Sequence, residues 1–112
     1  MKRYLALYLA PASTVRQMMK AATPDQMKAE MEIWTKWMMK NEKAIIDQGA
    51  PLGRTKRIVA AGIADSKNQI TGYTIVQGKS HDSAAKIFKR HPHLRWKGAS
   101  IDLIEFFAMP GM

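Results

Sequence analysis

Three histidines, nine carboxylates and no cysteine set the chemistry open to this chain of 112 residues. Without cysteine there is no thiolate nucleophile, disulfide, Fe–S cluster or Cys-ligated zinc. Acid–base work then falls to imidazole and carboxylate. His91 leads the candidates. It follows Phe88 by three residues and Ile87 by four, at the C-terminal end of an expected helix. The helix dipole there favours imidazolium and raises the pKa. A pocket between helix and sheet can use such a group as general acid or base; a capping residue bonding nearby carbonyls would have the same position. Glu105 stands in the last expected strand, on the side of Ile101 and Leu103. Among apolar neighbours a carboxyl has a raised pKa and can act as a base, or it can pair with an arginine at an interface. His91-x-His93 with His81-Asp82 offers metal-ligand types, but Pro92 separates the two imidazoles and no third ligand has suitable spacing. Neither metal nor cofactor is expected. Trp34 and Trp37, among methionines, fit an adaptable apolar pocket or, better, a helix stripe in the core. No Gly-rich phosphate loop, nucleophile elbow or paired-carboxylate signature is present.

These residues need elements to hold them. Lys2 to Ala10, closed by Pro11, predicts a first strand with Leu5, Leu7 and Leu9 on one face and Tyr4, Ala6 and Tyr8 on the other. Lys2-Arg3 before this stretch and Ala10-Pro11-Ala12 after it imitate a signal peptide, but the pattern is short for one, so a strand is expected. Pro11 to Ala22 reads as a loop with a helical turn around Val15 to Met19. Thr23-Pro24-Asp25-Gln26 starts a helix, with an N-cap, a proline at the first position and the Gln of a capping box. Met27, Met31, Trp34 and Met38 follow at helical spacing, widened by Ile33, Trp37 and Ile45, over about 24 residues to Gly49 and Pro51. Arg54 to Ala60 is the second strand, Gly62 to Gln69 a polar connection, and Ile70 to Gln77 the third strand. Thr71, Tyr73 and Ile75 share one face of it, Gly72, Thr74 and Val76 the other. Ser80 caps a second helix to about Arg90, stopped by Pro92. Ile101 to Phe107 is the fourth strand, and Met109 to Met112 a tail.

The order β-α-β-β-α-β is the ferredoxin-like pattern of a single α+β domain over residues 1–112. Right-handed crossovers place both helices on one face of a four-stranded antiparallel sheet, with the first and third strands central. If the leucines of the first strand meet the helices, the other face carries Tyr4, Ala6, Tyr8 and Tyr73. A solvated antiparallel face should be polar, so a second subunit, a nucleic acid or a ligand is expected to cover it. A net charge of +9 raises the nucleic-acid option. Yet Thr71 to Gly78 matches the RNA-recognition signature only at Gly72, Tyr73 and Val76, and the cations are scattered. A solvated basic surface is the reading, and nucleic acid is not the expected partner. No apolar run reaches the roughly 20 residues of a membrane span; a cytoplasmic location is expected.

The strand Tyr4–Tyr8, Trp34-x-x-Trp37, Gly49-Ala50-Pro51-Leu52-Gly53, Gly72 to Val76, the helix start Ser80 to Ala85, His91-Pro92-His93-Leu94 and the end Ile104 to Pro110 follow in an order that resembles the YCII-related family of the dimeric α+β barrel superfamily. The resemblance spans nearly the whole chain. It implies a ferredoxin-like protomer whose open sheet face packs on a second copy. In that family a helix-one His and an Asp before a Pro form a proposed catalytic pair. The Asp-Pro position looks like His91-Pro92 here, and the helix position, counted back from Gly49, falls near Glu32. The chain departs at both places, so the resemblance implies an exchanged pair, Glu32 with His91.

The expectation is therefore a homodimer with a small-molecule pocket between sheet and helices in each half, and cofactor-independent acid–base chemistry on a small organic substrate. His91, Glu32 and Glu105 are the catalytic candidates; Trp34, Trp37, Tyr73 and His93 are the ligand-binding ones. Beside a carboxylate, the pKa of His91 is expected above roughly 6.5. A non-catalytic ligand-binding or structural homodimer is the alternative, and an RNA-binding module ranks behind it.

Overall fold

Alternation in the first nine residues produces a strand, and the chain builds outward from it. The computed structural model describes residues 1–20, 22–108 and 110. Its elements are β1 (Lys2–Leu9), α1 (Ala12–Lys20), α2 (Pro24–Lys40), β2 (Ile45–Asp47), β3 (Thr55–Val59), β4 (Gly62–Ser66), β5 (Ile70–Gly78), α3 (His81–Lys86), a 3-10 turn (Pro92–Arg95) and β6 (Ser100–Glu105). The antiparallel sheet has the order β2-β5-β1-β6, with β1 and β5 central, and β3 and β4 form a separate hairpin. With its helices on one side of the sheet, this is a ferredoxin-like α+β protomer. Of the expected tail, Met109, Gly111 and Met112 lie outside the described residues.

Several boundaries differ from the sequence reading, each for a local reason. Ala12–Lys20 is a true helix rather than a loop: Val15 N–H donates to Pro11 O at 3.0 Å, and the Thr14 hydroxyl donates to Lys97 O at 2.6 Å. α2 starts as expected, with the Thr23 and Gln26 capping box formed. It stops eight residues early, at Asn41, whose backbone N–H and side-chain amide both bond to Trp37 O. That frees Ile45 to Asp47, read as helix, to become the edge strand β2. Gly49 does not end the helix. It turns the chain out of β2 at φ 75°, so close to Tyr73 that a Cβ would lie 1.7 Å from Tyr73 O. The expected second strand is β3, in the hairpin rather than the sheet, and the polar connection contains its partner β4. Ser80 caps α3, but α3 ends at Lys86 and not near Arg90.

The largest correction concerns the sheet faces. Tyr4, Ala6 and Tyr8 are buried under the helices, with Thr74 and Val76 of β5 beside them. Leu5, Leu7 and Leu9 are the half-covered ones, on the open face with Tyr73 and Ile75. On the tyrosine side the Tyr8 phenol has the partner that burial requires, whereas the Tyr4 hydroxyl is buried without one. Thr74 Oγ1 donates to Gln48 O at 3.1 Å and accepts the Tyr8 hydroxyl at 2.7 Å. A leucine face has no polar handle to satisfy and can wait for another apolar surface. Only the C-terminal half of α2 packs on the sheet: Trp37 is buried and Trp34 and Met38 partly so, whereas Met27 and Met31 remain exposed.

Candidate functional site

His91 sits where β1, α2 and the 3-10 turn converge. Its ring centroid lies 4.4 Å from Trp37, 4.5 Å from Trp34, 4.9 Å from Tyr8 and 5.9 Å from Phe88. The turn begins at Pro92, which needs no N–H donor of its own. His91 caps it: His93 N–H donates to His91 Nδ1 at 2.9 Å. An Nδ1 that accepts leaves the proton of a neutral ring on Nε2. His91 Nε2 is buried and has no hydrogen-bond partner.

Most of the neighbouring polar groups are engaged; the buried Tyr4 hydroxyl is not. His93 is buried; its Nε2–H donates to Leu9 O at 2.8 Å, and its ring lies 5.4 Å from Tyr8. His81 stacks on Tyr4 at 5.0 Å and bonds to Leu103 O through Nε2 at 2.8 Å. The Trp37 indole N–H donates to Ile87 O at 3.1 Å. Burial pushes the Tyr8 phenol up to about 12, only partly offset by its bond to Thr74, so it stays protonated. Arg95 fastens the turn from outside, through Nε–H to Pro92 O at 2.9 Å and an ion pair with Glu30 of α2 at 2.6 Å.

The expected rise in the His91 pKa is wrong in sign. Burial among aromatic rings, with smaller contributions from the positive charges of His93 and Arg95, lowers it from 6.5 to about 3. The dipole argument fails because α3 is only six residues long and ends five residues before His91. The carboxylate argument fails within the protomer. Glu32 and Glu105 are both exposed, and neither is a hydrogen-bond partner of His91. Trp34, Trp37, His91 and His93 are brought together. Tyr73 is not, since it pairs with Leu7 on the open face, across the sheet from His91.

The residues missed by sequence reasoning are Tyr8, Phe88, Glu30 and Arg95. Tyr8 was visible in the β1 alternation but assigned to the wrong face. The Glu30–Arg95 pair joins positions 65 residues apart and leaves no local signal. A groove of about 490 Å³ lies beside the cluster, between α3 and β6, floored by Phe88, Leu94, Ile101 and Leu103 and rimmed by Lys86 and Lys89. Phe88 belongs to both places: it lines the groove and stacks on His91.

No helix of the described residues is long and apolar enough to cross a membrane. Neither a protein-family model nor a curated protein matches the sequence. Among solved structures, 5-chloro-2-hydroxyhydroquinone dehydrochlorinase (TftG) from Burkholderia phenoliruptrix AC1100, in complex with 2,5-dihydroxybenzoquinone, is similar at a TM-score of 0.45 and 14% identity, over 91% of each chain. At that score and identity the likeness bears on neither substrate nor mechanism.

Proposed function

We propose that this is a YCII-related homodimer that holds a small planar organic molecule, without a cofactor, at the aromatic–histidine cluster. The observation that carries the reading is the lone Nε2–H of His91, a buried donor without a partner inside a ring of Tyr8, Trp34, Trp37 and Phe88. An unmatched buried donor costs about 1–3 kcal/mol, and an oxygen acceptor on an aromatic or quinonoid ligand would remove that cost. A ligand enters through the groove and reaches His91 when the Phe88 ring turns aside. Lys86 and Lys89 outnumber the one carboxylate, Asp82, at its mouth and favour an anionic ligand.

A neutral imidazole whose Nδ1 already accepts from the backbone acts through its N–H, as a hydrogen-bond donor that polarises a carbonyl or stabilises an oxyanion. It is not an imidazolium acid at neutral pH. Turnover would therefore run through polarisation of the bound molecule, with Glu32 or Glu105 entering as the proton acceptor from the second copy. Binding without turnover is the second reading, favoured by the exposed position of both carboxylates in the protomer. The RNA reading loses two of its three candidate stacking residues, because Tyr4 and Tyr8 are under the helices and Tyr73 alone stays on the open face.

His91→Asn tests the site. Asn retains an oxygen that can cap the turn, as Asn does at helix starts, and lacks the Nε2–H. 4-Hydroxybenzoate is a suitable probe, having a ring for the aromatic cluster and acceptor oxygens for the donor. The wild type is expected to bind it with a shift of the His91 imidazole nitrogen resonance. His91→Asn is expected to fold normally and lose that binding. Equal binding by both proteins, or no shift in the wild type, would reject the site.

A further inference from the structure

The two edges of the sheet are finished differently. β2 is three residues long, its register to β5 shifts between Ile45 and Asp47, and Pro51 bridges to Gly72 just beyond it. Short length, irregular register and proline keep an edge from pairing with another chain. β6 has none of these. Its six residues hold a regular register against β1 and include neither proline nor lysine. One bond fixes which way its backbone points. Phe106 N–H donates to Arg3 O at 3.1 Å, so by antiparallel alternation Ile104 and Asp102 also turn their polar groups to β1. The N–H and C=O groups of Ile101, Leu103 and Glu105 therefore point away from the sheet, where no further strand lies. Leu103 O, one of these outward carbonyls, accepts from His81 Nε2–H at 2.8 Å.

The side chains at this edge face a groove. Ile101 and Leu103 pair with Tyr8 and Ala6, so they lie on the helix side of the sheet and floor the groove of about 490 Å³ beside α3. The groove is thus on the opposite side from the open leucine face. α3 runs along it from His81, bonded at Leu103, towards Phe88, which stacks on His91 near Tyr8, the partner of Ile101. Lys86 and Lys89 stand on its rim against the single carboxylate of Asp82, and Glu105 is at the far end of the strand.

We infer that β6 is a docking edge for an extended acidic segment of another protein, which adds an antiparallel strand to the sheet beside α3. Main-chain bonds to Ile101 and Leu103 hold the segment, and the groove reads its alternate side chains. The antiparallel sense matches the rest of the sheet and gives the better-aligned bonds. Leu103 O has a second lone pair for the added strand, beside its bond to His81. In this arrangement an apolar side chain stands opposite Leu103. The carboxylates follow opposite Ile101 and beyond it, towards Lys86 and Lys89 and away from Glu105. A net charge of +9 draws an acidic partner in. The inference does not rest on the ligand reading, although a strand laid in the groove would close the way to His91.

The probe is the acetylated and amidated peptide Thr-Val-Thr-Glu-Thr-Glu, which carries its valine and both glutamates on one side. It is expected to bind with a Kd below about 1 mM and to slow deuterium exchange at the Ile101 and Leu103 amides at least about tenfold. In an antiparallel pairing, the residues that enter the groove are those whose N–H groups turn to β6. N-methylation of the valine should therefore weaken binding at least about tenfold, and N-methylation of the threonine after it should not. Lys86→Glu with Lys89→Glu should weaken binding at least about tenfold at unchanged circular dichroism, and should accept Thr-Val-Thr-Lys-Thr-Lys instead. His91→Asn should bind the acidic peptide as the wild type does, which separates this edge from the ligand site. No binding at about 1 mM, or equal binding of the two N-methylated peptides, overturns the docking edge. Slow exchange of the Ile101 and Leu103 amides without peptide, deepening as the protein is concentrated, overturns it in favour of β6 pairing with a second copy.

Discussion

The two faces of the sheet are both apolar, yet they do different work. The covered face carries Tyr4, Ala6, Tyr8, Thr74 and Val76, sealed by α2 and the turn that holds His91. The open face carries Leu5, Leu7, Leu9, Tyr73 and Ile75, half-covered at best. Side chains with polar tips gather on the first face, where Tyr8 and His93 are matched within the chain and the Tyr4 hydroxyl and His91 Nε2 are not. Aliphatic side chains, with Tyr73 among them, gather on the second, where they fit a flat apolar surface. An apolar face of this kind rarely stays bare in water. One face is therefore closed by the chain's own helices and the Tyr8–Thr74 bond, and the other is suited to association.

Substitutions can break this contrast, and the largest effect is expected on the covered face. Trp37→Ala removes a buried indole and its bond to Ile87 O, and should cost about 3–5 kcal/mol in urea unfolding. Leu7→Ala should cost far less under conditions where the chain is monomeric; equal losses would mean that the faces are not distinct. Leu7→Lys should leave secondary structure intact and abolish the proposed dimer, as read by light scattering after gel filtration.

Acid sharpens the contrast next. The unfolded chain protonates His91 near 6.5, and the folded chain only near 3. The stabilisation is thus complete above pH 6.5 and lost as pH falls towards 3, at up to roughly 1.4 kcal/mol per pH unit. His91→Asn should flatten that part of the stability profile, measured by urea unfolding between pH 4 and 7, and Leu7→Lys should not. The smallest effect belongs to Glu30→Gln. Its pair with Arg95 is partly exposed, so the loss should stay below about 1 kcal/mol and vanish at high salt.

Much of the scaffold was legible in the sequence. Alternation from Tyr4 to Leu9 and from Gly72 to Val76 marks the two central strands, because a period of two needs no tertiary information. Thr23 with Gln26, and Ser80, mark helix starts, because caps act within three residues of themselves. The end of α2 was not legible: apolar spacing carries on through Ile45, and only Asn41 folding back on Trp37 O stops the helix. At the site, His91 with Trp34 and Trp37 could be singled out by residue type. Their meeting with Tyr8 could not.

What the sequence determined by itself was the set of residues sharing each face of the two central strands and the starts of α2 and α3. These follow from local spacing and the short reach of capping bonds. Tertiary structure alone decided which face lies under the helices, because both are apolar and period-two patterning is symmetric between them. It also decided the protonation of His91. A pKa depends on the burial and charges around the ring, and those come from β1, α2 and Arg95, residues far apart along the chain. A short helix and an exposed carboxylate could not hold the imidazolium; an enclosure of aromatic rings keeps the imidazole neutral.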